Sequence, residues 1–412
     1  MPREKQLRVI LLTSSYPRHA TDSASVFLRY LAQHLNQRGI AVHVMAPADQ
    51  SAGMTTEDGI NVSRFRYFPR PWQKLAYGSG IPSNLRHRPR LWLQVPFFAL
   101  AMTWALFRSF RNTPRPQLIH AHWVIPQGLI AVLTGLLLRV PVVISLHGAD
   151  AFALNRGPLS PLKRFCLRHC AAWTANTRAT AQAIALGHVL PSPRIIPMGV
   201  DTDCFGSGVR SRLRTSLGSN EMIILYVGRL VEKKGVGDLI QAFARLAGDL
   251  REKTHLWIVG HGELENSLET MSRELGVGNR IKFWGEIPND QLPDYYAAAD
   301  LFVGPSVEAT SGDTEGQGVV FIEAFAAGLC VIATTVGGIP EVVDHGRTGI
   351  LVPPKNPNEL AGAIQQLLSD SVLRQRLARN AQDEAREHYA WPRIADEFVA
   401  LYSDITTKRE VG

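Results

Sequence analysis

The sequence predicts an α/β protein built from two parallel-sheet domains, and three observations carry that expectation. Short apolar runs alternate with amphipathic helical runs along the chain, the pattern of parallel sheets covered on both faces. That alternation pauses near residues 200–215, in a Gly- and Ser-rich stretch, and then starts again. At 412 residues the chain is also too long for one ordinary core.

In the first half, residues 7–13 form an apolar strand and 25–38 a helix closed by Gly39. Residues 41–46, 117–121 and 140–146 are further strands, and 47–90, rich in Pro, Arg and Gly, read as loop. The stretch 91–107 is uncharged and close to the roughly 17 residues that can span a bilayer. A span would place the strands 7–13 and 117–121 on opposite sides of a membrane. The stretch is therefore expected to be a helix of the first domain, either buried or also dipping into a bilayer surface. In the second half, strands are expected at 222–228, 255–260, 281–284, 301–304, 330–334 and 349–352. Helices are expected at 237–246, 264–275, 291–298, after Glu315, and at 357–368.

The net charge of +8 is unevenly spread. Residues 1–200 hold 23 Lys and Arg against 6 Asp and Glu, and the remainder 21 against 30. Such a polar division speaks against a uniformly basic nucleic-acid binder and fits a first domain resting on an anionic membrane surface. The four cysteines, Cys166, Cys170, Cys204 and Cys330, complete no zinc pattern and read as reduced thiols of a cytoplasmic protein. The apolar run at residues 9–12 is too short for a secretory signal.

The segment Glu315-Gly-Gln-Gly-Val-Val-Phe-Ile-Glu323 carries the most chemistry. It sets one carboxylate in a Gly-rich turn and another two helical turns later, with the N–H groups of Gly318, Val319 and Val320 between them. An open helix N-terminus takes phosphate, and carboxylates suit sugar hydroxyls. Together they suggest a pocket for a sugar joined to a nucleoside diphosphate. Arg229 and Lys234 follow the strand 222–228 in a strand-to-helix loop, at the edge where open α/β sheets bind ligands. Cations there stabilise a leaving diphosphate more in the transition state than in the ground state. Val259-Gly-His-Gly-Glu263 is a second glycine turn, but Glu265 stands where a dinucleotide fingerprint has its third glycine. His147 ends a strand and is a candidate pocket group, whereas His120 and His122 read as packing and hydrogen-bonding residues rather than metal ligands. Asp201-Thr-Asp203 resembles a short metal-binding string but lacks acidic partners.

These motifs resemble the family 4 retaining glycosyltransferases, of the bacterial surface-polysaccharide type, which have the GT-B architecture. The resemblance runs over nearly the whole chain, through Tyr16-Pro17, His120–Trp123, His147-Gly148, Pro197–Phe205, Val227–Gly235, Val259–Gly262, Glu315–Glu323 and Val336–Glu341. It implies two Rossmann-like domains facing each other across a cleft: an acceptor-binding domain over 1–203 and a nucleotide-sugar-binding domain over 204–390. A helix from 391, within the segment 391–412, would cross back to the first domain.

It also implies roles. Arg229 and Lys234 would hold the donor diphosphate, Glu323 the ribose and Glu315 the transferred sugar. Gly318, Val319 and Val320 would face phosphate or sugar, Gly260 and Ile287 would border the donor, and His147 would bond the donor sugar. Many relatives carry a glycine pair after the first strand, where this chain has Asp22-Ser-Ala-Ser-Val26.

The expected activity is transfer of a hexose, with retention and without metal or cofactor. The acceptor would be a hydroxyl of a lipid-linked or growing saccharide in cell-surface polysaccharide or glycolipid synthesis. The expected location is cytoplasmic, peripheral on the inner face of the cytoplasmic membrane. A nucleotide-sugar epimerase on the same fold is the alternative.

Overall fold

The computed structural model describes residues 6–19, 22, 24–49, 52–78, 80–111, 114–152, 159–185, 188–208, 213–214 and 221–410. The chain divides into two units. One takes residues 1–176, 180–196 and 391–412, and the other 177–179 and 197–390. The second unit begins at Pro197 because the segment after it is already tied there. The Met198 N–H donates to Gln317 Oε1 at 2.7 Å and the Val200 N–H to the Tyr389 carbonyl at 2.8 Å.

The first unit holds an eight-stranded sheet in the order β3-β4-β2-β1-β5-β6-β7-β8. Its strands are β1 (Arg8–Leu12), β2 (Ala41–Pro47), β3 (Gly53–Glu57), β4 (Ile60–Phe65), β5 (Leu118–His122), β6 (Val142–Leu146), β7 (Ala172–Ala175) and β8 (Arg194–Ile195). All pairings are parallel except β3 with β4. The central strands are buried throughout, as their Val, Ile and Leu runs require when both faces are covered.

The loop expected over 47–90 is corrected here. Residues 53–65 form an antiparallel hairpin at the sheet edge, and Ile81–His87 is a short helix. Strand β3 is nearly all exposed, so it lacks the apolar alternation by which a strand is read from sequence.

The uncharged stretch is a 3₁₀ turn, Pro89–Gln94, running into the helix Val95–Ser109. Phe98, Met102 and Leu106, spaced at four residues, are buried in the core of this unit. Strands β1 and β5 pair directly, Val9 opposite Leu118, so the segment between them does not cross a bilayer.

Helix Val26–Gln37 is amphipathic, with Leu28, Leu31, Ala32 and Leu35 inward. Helix Trp391–Glu410 returns to pack against it, placing Trp391, Ile394, Phe398 and Tyr402 in the same core. Tyr30 stacks on Trp391 with ring centroids 6.0 Å apart. The Tyr402 hydroxyl meets His120 Nδ1 at 2.6 Å. Tyr402→Phe leaves that buried nitrogen without its partner and is expected to destabilise the protein by about 1–3 kcal/mol. Urea unfolding followed by tryptophan fluorescence measures it, and an unchanged midpoint would refute the bond's contribution.

The second unit holds a six-stranded, all-parallel sheet in the order β11-β10-β9-β12-β13-β14. Its strands are β9 (Met222–Val227), β10 (Thr254–Val259), β11 (Ile281–Gly285), β12 (Leu301–Gly304), β13 (Cys330–Thr334) and β14 (Gly349–Val352). Apolar layers lie on both faces, one around Phe302, Phe321 and Phe325, the other around Leu239, Phe243 and Ile364. The strand order reverses between β9 and β12. In an open parallel sheet the loops leaving two such strands diverge and open a crevice.

Candidate active site

The loops at that crevice carry the residues singled out by the sequence. Strand β9 ends at Val227, and Arg229 follows in the loop. A 3₁₀ turn, Glu232–Lys234, leads into helix Val236–Ala244. Strand β12 leads through residues 305–318 to Glu315 and helix Val319–Ala326. The two loops are stitched together. Lys234 Nζ donates to Glu315 Oε2 at 2.6 Å, with both side chains 14% exposed. Lys233 Nζ bonds Asp313 Oδ1 and the Thr314 carbonyl, each at 3.2 Å. The Glu232 carboxylate takes the Thr310 N–H at 2.9 Å. The Arg229 side chain is exposed and forms no hydrogen bond or ion pair among the described residues, while the Tyr226 hydroxyl donates to its carbonyl at 3.0 Å. A buried tyrosine thus fixes the backbone from which a cation projects.

The two carboxylates are in different electrostatic states. Burial alone would push Glu315 up, but the charges of Lys234, Lys233 and Arg229 and the Lys234 hydrogen bond outweigh it and hold the carboxyl below its ordinary value. Glu323 is pushed up to about 7 by burial, against the Tyr296 hydrogen bond and the Lys234 charge. The Tyr296 hydroxyl donates to Glu323 Oε2 at 2.7 Å.

Gly318 caps helix Val319–Ala326 in the left-handed region, at φ 78°, and a Cβ there would lie 2.5 Å from the Phe321 ring. No side chain caps this end, so the first N–H groups of the helix, at Val319 and Val320, keep no intrahelical acceptor. The preceding turn is held from outside. Thr177 Oγ1 donates to the Gly316 carbonyl at 2.9 Å, Gln317 is locked onto Met198, and the Gly338 N–H donates to the Glu315 carbonyl at 3.0 Å.

Gly260, at the end of β10, lies against the β9 loop. A Cβ on it would sit 2.0 Å from the Gly228 carbonyl oxygen, so only glycine fits. Its N–H donates to the Gly285 carbonyl at 2.8 Å, which joins it to the loop carrying Ile287. Arg229, Lys234, Gly260, Ile287, Glu315, Gly318, Val319, Val320 and Glu323 are therefore all borne by one sheet edge and the helix starting from it.

His147 belongs to the first unit, just after β6. His147 Nε2 meets His122 Nδ1 at 2.9 Å, and Phe27 and Trp123 pack on its ring at centroid distances of 4.9 and 5.3 Å. The Asp150 carboxylate accepts the His147 N–H at 3.0 Å. Burial pushes His147 and His120 down to about 3 and His122 well below its ordinary value, so all three imidazoles are neutral. His147 Nδ1 is buried and has no hydrogen-bond partner among the described residues. His120 bonds Ser145 Oγ at 2.7 Å as well as Tyr402, a packing and hydrogen-bonding role.

Asp201 caps helix Thr202–Gly206 by accepting the Cys204 N–H at 2.9 Å, which gives the first acid of the string a structural role. In the loop after β1, Asp22 is engaged by Arg18 Nε at 2.5 Å and by the Ala24 N–H at 3.1 Å, while Ser23 lies outside the described residues. The sequence reading missed Tyr226, Tyr296, Gln317 and Thr177. Tyr226 meets a carbonyl three residues on, whereas the other three act through partners that only the fold brings near.

Cations, an open helix end and two acids at the switch point of a parallel sheet define an α/β protein with a candidate ligand-binding edge, and the comparisons with known proteins give its family. A model described as Glycosyltransferase Family 4 matches residues 24–204, and one described as Glycosyl transferases group 1 matches residues 210–384. The chain belongs to the family 4, group 1 glycosyltransferases, with the GT-B fold. It is 38% identical over 191 residues to an uncharacterized glycosyltransferase of Methanocaldococcus jannaschii, covering 46% of this chain and 47% of that protein. Over 400 residues it is 26% identical to the GDP-mannose-dependent alpha-(1-6)-phosphatidylinositol monomannoside mannosyltransferase of Mycobacterium tuberculosis, covering 94% of this chain and 96% of the relative. The Anabaena protein HepE, solved with UDP-glucose, superposes with a TM-score of 0.73 at 22% identity, over 97% of this chain and all of that one.

Proposed function

We propose that this glycosyltransferase moves a hexose from a nucleoside-diphosphate sugar to a hydroxyl of a lipid-linked or growing saccharide, with retention and without a metal, in cell-surface polysaccharide or glycolipid synthesis. The observation that carries the reading is the Lys234–Glu315 pair at 2.6 Å across the crevice, beside an exposed Arg229. Arg229 and Lys234 grip the diphosphate, assisted by the N–H groups of Gly318, Val319 and Val320. Glu323 takes the ribose hydroxyls and Glu315 orients the transferred sugar. Gly260 and Ile287 border the donor, and His147 bonds the donor sugar through Nδ1.

As the glycosidic C1–O bond breaks, its electron pair leaves on the diphosphate, where the two cations stabilise it. The acceptor oxygen forms the new bond from the same ring face, and its proton leaves on the departing phosphate oxygen. Glu315, tied to Lys234, orients the sugar rather than attacking it. The full-length mycobacterial relative is named for a lipid acceptor and a GDP-sugar donor, which supports an acceptor of that chemical kind.

A thermal-shift screen with UDP-, GDP-, ADP- and dTDP-sugars tests the donor class, because a ligand that binds the folded protein stabilises it by an amount that grows with its concentration relative to its Kd. One donor is expected to raise the melting temperature, and NMR of the product made from it is expected to show the donor's anomeric configuration. An inverted product sinks the same-face route. A converted sugar formed without any acceptor sinks transfer and favours epimerisation.

A further inference from the structure

From Gly59 to Ala149 the chain contains no Asp or Glu, yet it has 11 Lys and Arg. The same stretch builds an apolar face that the fold leaves uncovered. On helix Val95–Ser109 the buried Phe98, Met102 and Leu106 line one side, while Phe97, Leu100 and Trp104 line the other. Trp92 extends that exposed side from the 3₁₀ turn. Helix Leu129–Leu138 packs alongside and contributes Leu133 and Leu137. These six side chains are between 52% and 70% exposed, more than the isolated apolar residue that any surface carries.

The charges are placed at its ends. Arg86, Arg88 and Arg90 precede the apolar run, Arg108 and Arg111 follow it, and all five are exposed. The Arg111 guanidinium lies 5.7 Å from the Trp104 ring centroid.

We infer that this face docks in the plane of a bilayer leaflet bearing anionic headgroups, with Phe97, Leu100, Trp104, Leu133 and Leu137 entering the boundary between headgroups and acyl chains. Tryptophan prefers that boundary, because its ring is apolar and its N–H stays wet. Arginines flanking an apolar helix face pair with lipid phosphate, and the stretch itself carries no acid to repel it. The helix lies on the leaflet because its other side is already spent on the protein core. A second copy of the chain is a poorer occupant, since pairing this face with itself would bring the flanking arginines together with no acid in the stretch to offset them. The inference deepens the reading above by naming the surface on which a lipid-linked acceptor would be met.

The test uses the full chain and two kinds of vesicle, phosphatidylcholine alone and phosphatidylcholine mixed with phosphatidylglycerol. Sedimentation is expected to show binding to the mixed vesicles that weakens as salt rises. Leu100→Glu with Trp104→Glu is expected to weaken it at least about tenfold, from the lost apolar burial alone. Replacing Arg86, Arg88 and Arg90 by Gln is expected to remove the preference for the anionic vesicles. The thermal shift produced by the donor is expected to be unchanged in both variants. That measurement also reports that each variant is folded, and it fails separately if the donor assignment is at fault. Absence of binding to the mixed vesicles, binding unaffected by the paired Glu substitutions, or a dimer in light scattering that those substitutions abolish would each overturn the inference.

Discussion

Lys234→Ala is expected to lower kcat by about 10²–10³-fold, the usual consequence of removing a preorganised group that stabilises developing negative charge. The effect falls on kcat because the diphosphate gains charge as the glycosidic bond breaks, so the interaction is stronger in the transition state than in the donor complex. The same substitution strands Glu315, whose partner is 2.6 Å away and whose side chain is 14% exposed. Breaking such a pair from one side costs about 3 kcal/mol, because a buried carboxylate is left uncompensated. The two effects separate in the double variant Lys234→Met/Glu315→Gln. Removing both charges restores most of the stability and none of the turnover. Urea unfolding beside steady-state kinetics at saturating donor measures both. Near-normal turnover in Lys234→Ala would remove the diphosphate from this loop.

Glu323→Gln is expected to make the free protein more stable and the donor complex weaker. The folded-state pKa of about 7 lies above the ordinary 4.5. Between those values the folded protein keeps a proton that the unfolded chain has released, so native stability falls as pH rises through the window. Full burial would make this loss about 3 kcal/mol, and the partial exposure of Glu323 reduces it to about 2 kcal/mol. The Gln variant escapes the loss, so it gains about 2 kcal/mol above pH 7 and nothing below 4.5.

Donor affinity runs the other way. A carboxylate accepts both ribose hydroxyls and a protonated acid does not, so affinity is expected to rise as pH passes through 7. In Glu323→Gln it is expected to be roughly 10- to 100-fold weaker and flat. Tyr296→Phe removes the bond that favours the charged form and moves the midpoint upward. Calorimetric titration across this range decides it, and a donor affinity independent of pH in the natural protein would refute the ribose role of Glu323.

Much of this site is legible in the sequence because its parts follow the sheet's own grammar. Arg229, Lys234 and Glu315 each come after an apolar strand, and in a parallel sheet every strand's C-terminal end opens on the same edge. Glycines at 260 and 318 mark the close approaches, and Glu323 lies on the helix that starts just after the turn carrying Glu315. What supports these groups is not legible. Tyr296 reaches Glu323 across 27 residues, Gln317 reaches Met198 across 119 and Thr177 reaches Gly316 across 139, so no local pattern contains both partners. The edge hairpin β3–β4 is hidden for a different reason. Its outer strand buries almost nothing, and periodicity reports burial. The segment 91–107 illustrates a third limit. Its composition distinguishes neither of its sides, and only the packed sheet decides which side faces inward.

The helix Trp391–Glu410 completes the core of the unit in which the chain begins, yet it is made after every residue of the other unit. During synthesis the early sheet therefore emerges from the ribosome with the groove beside helix Val26–Gln37 still vacant. Domains ordinarily fold in the order in which they are made. Here the later-made unit can mature first, and the earlier one closes only when the last turns arrive.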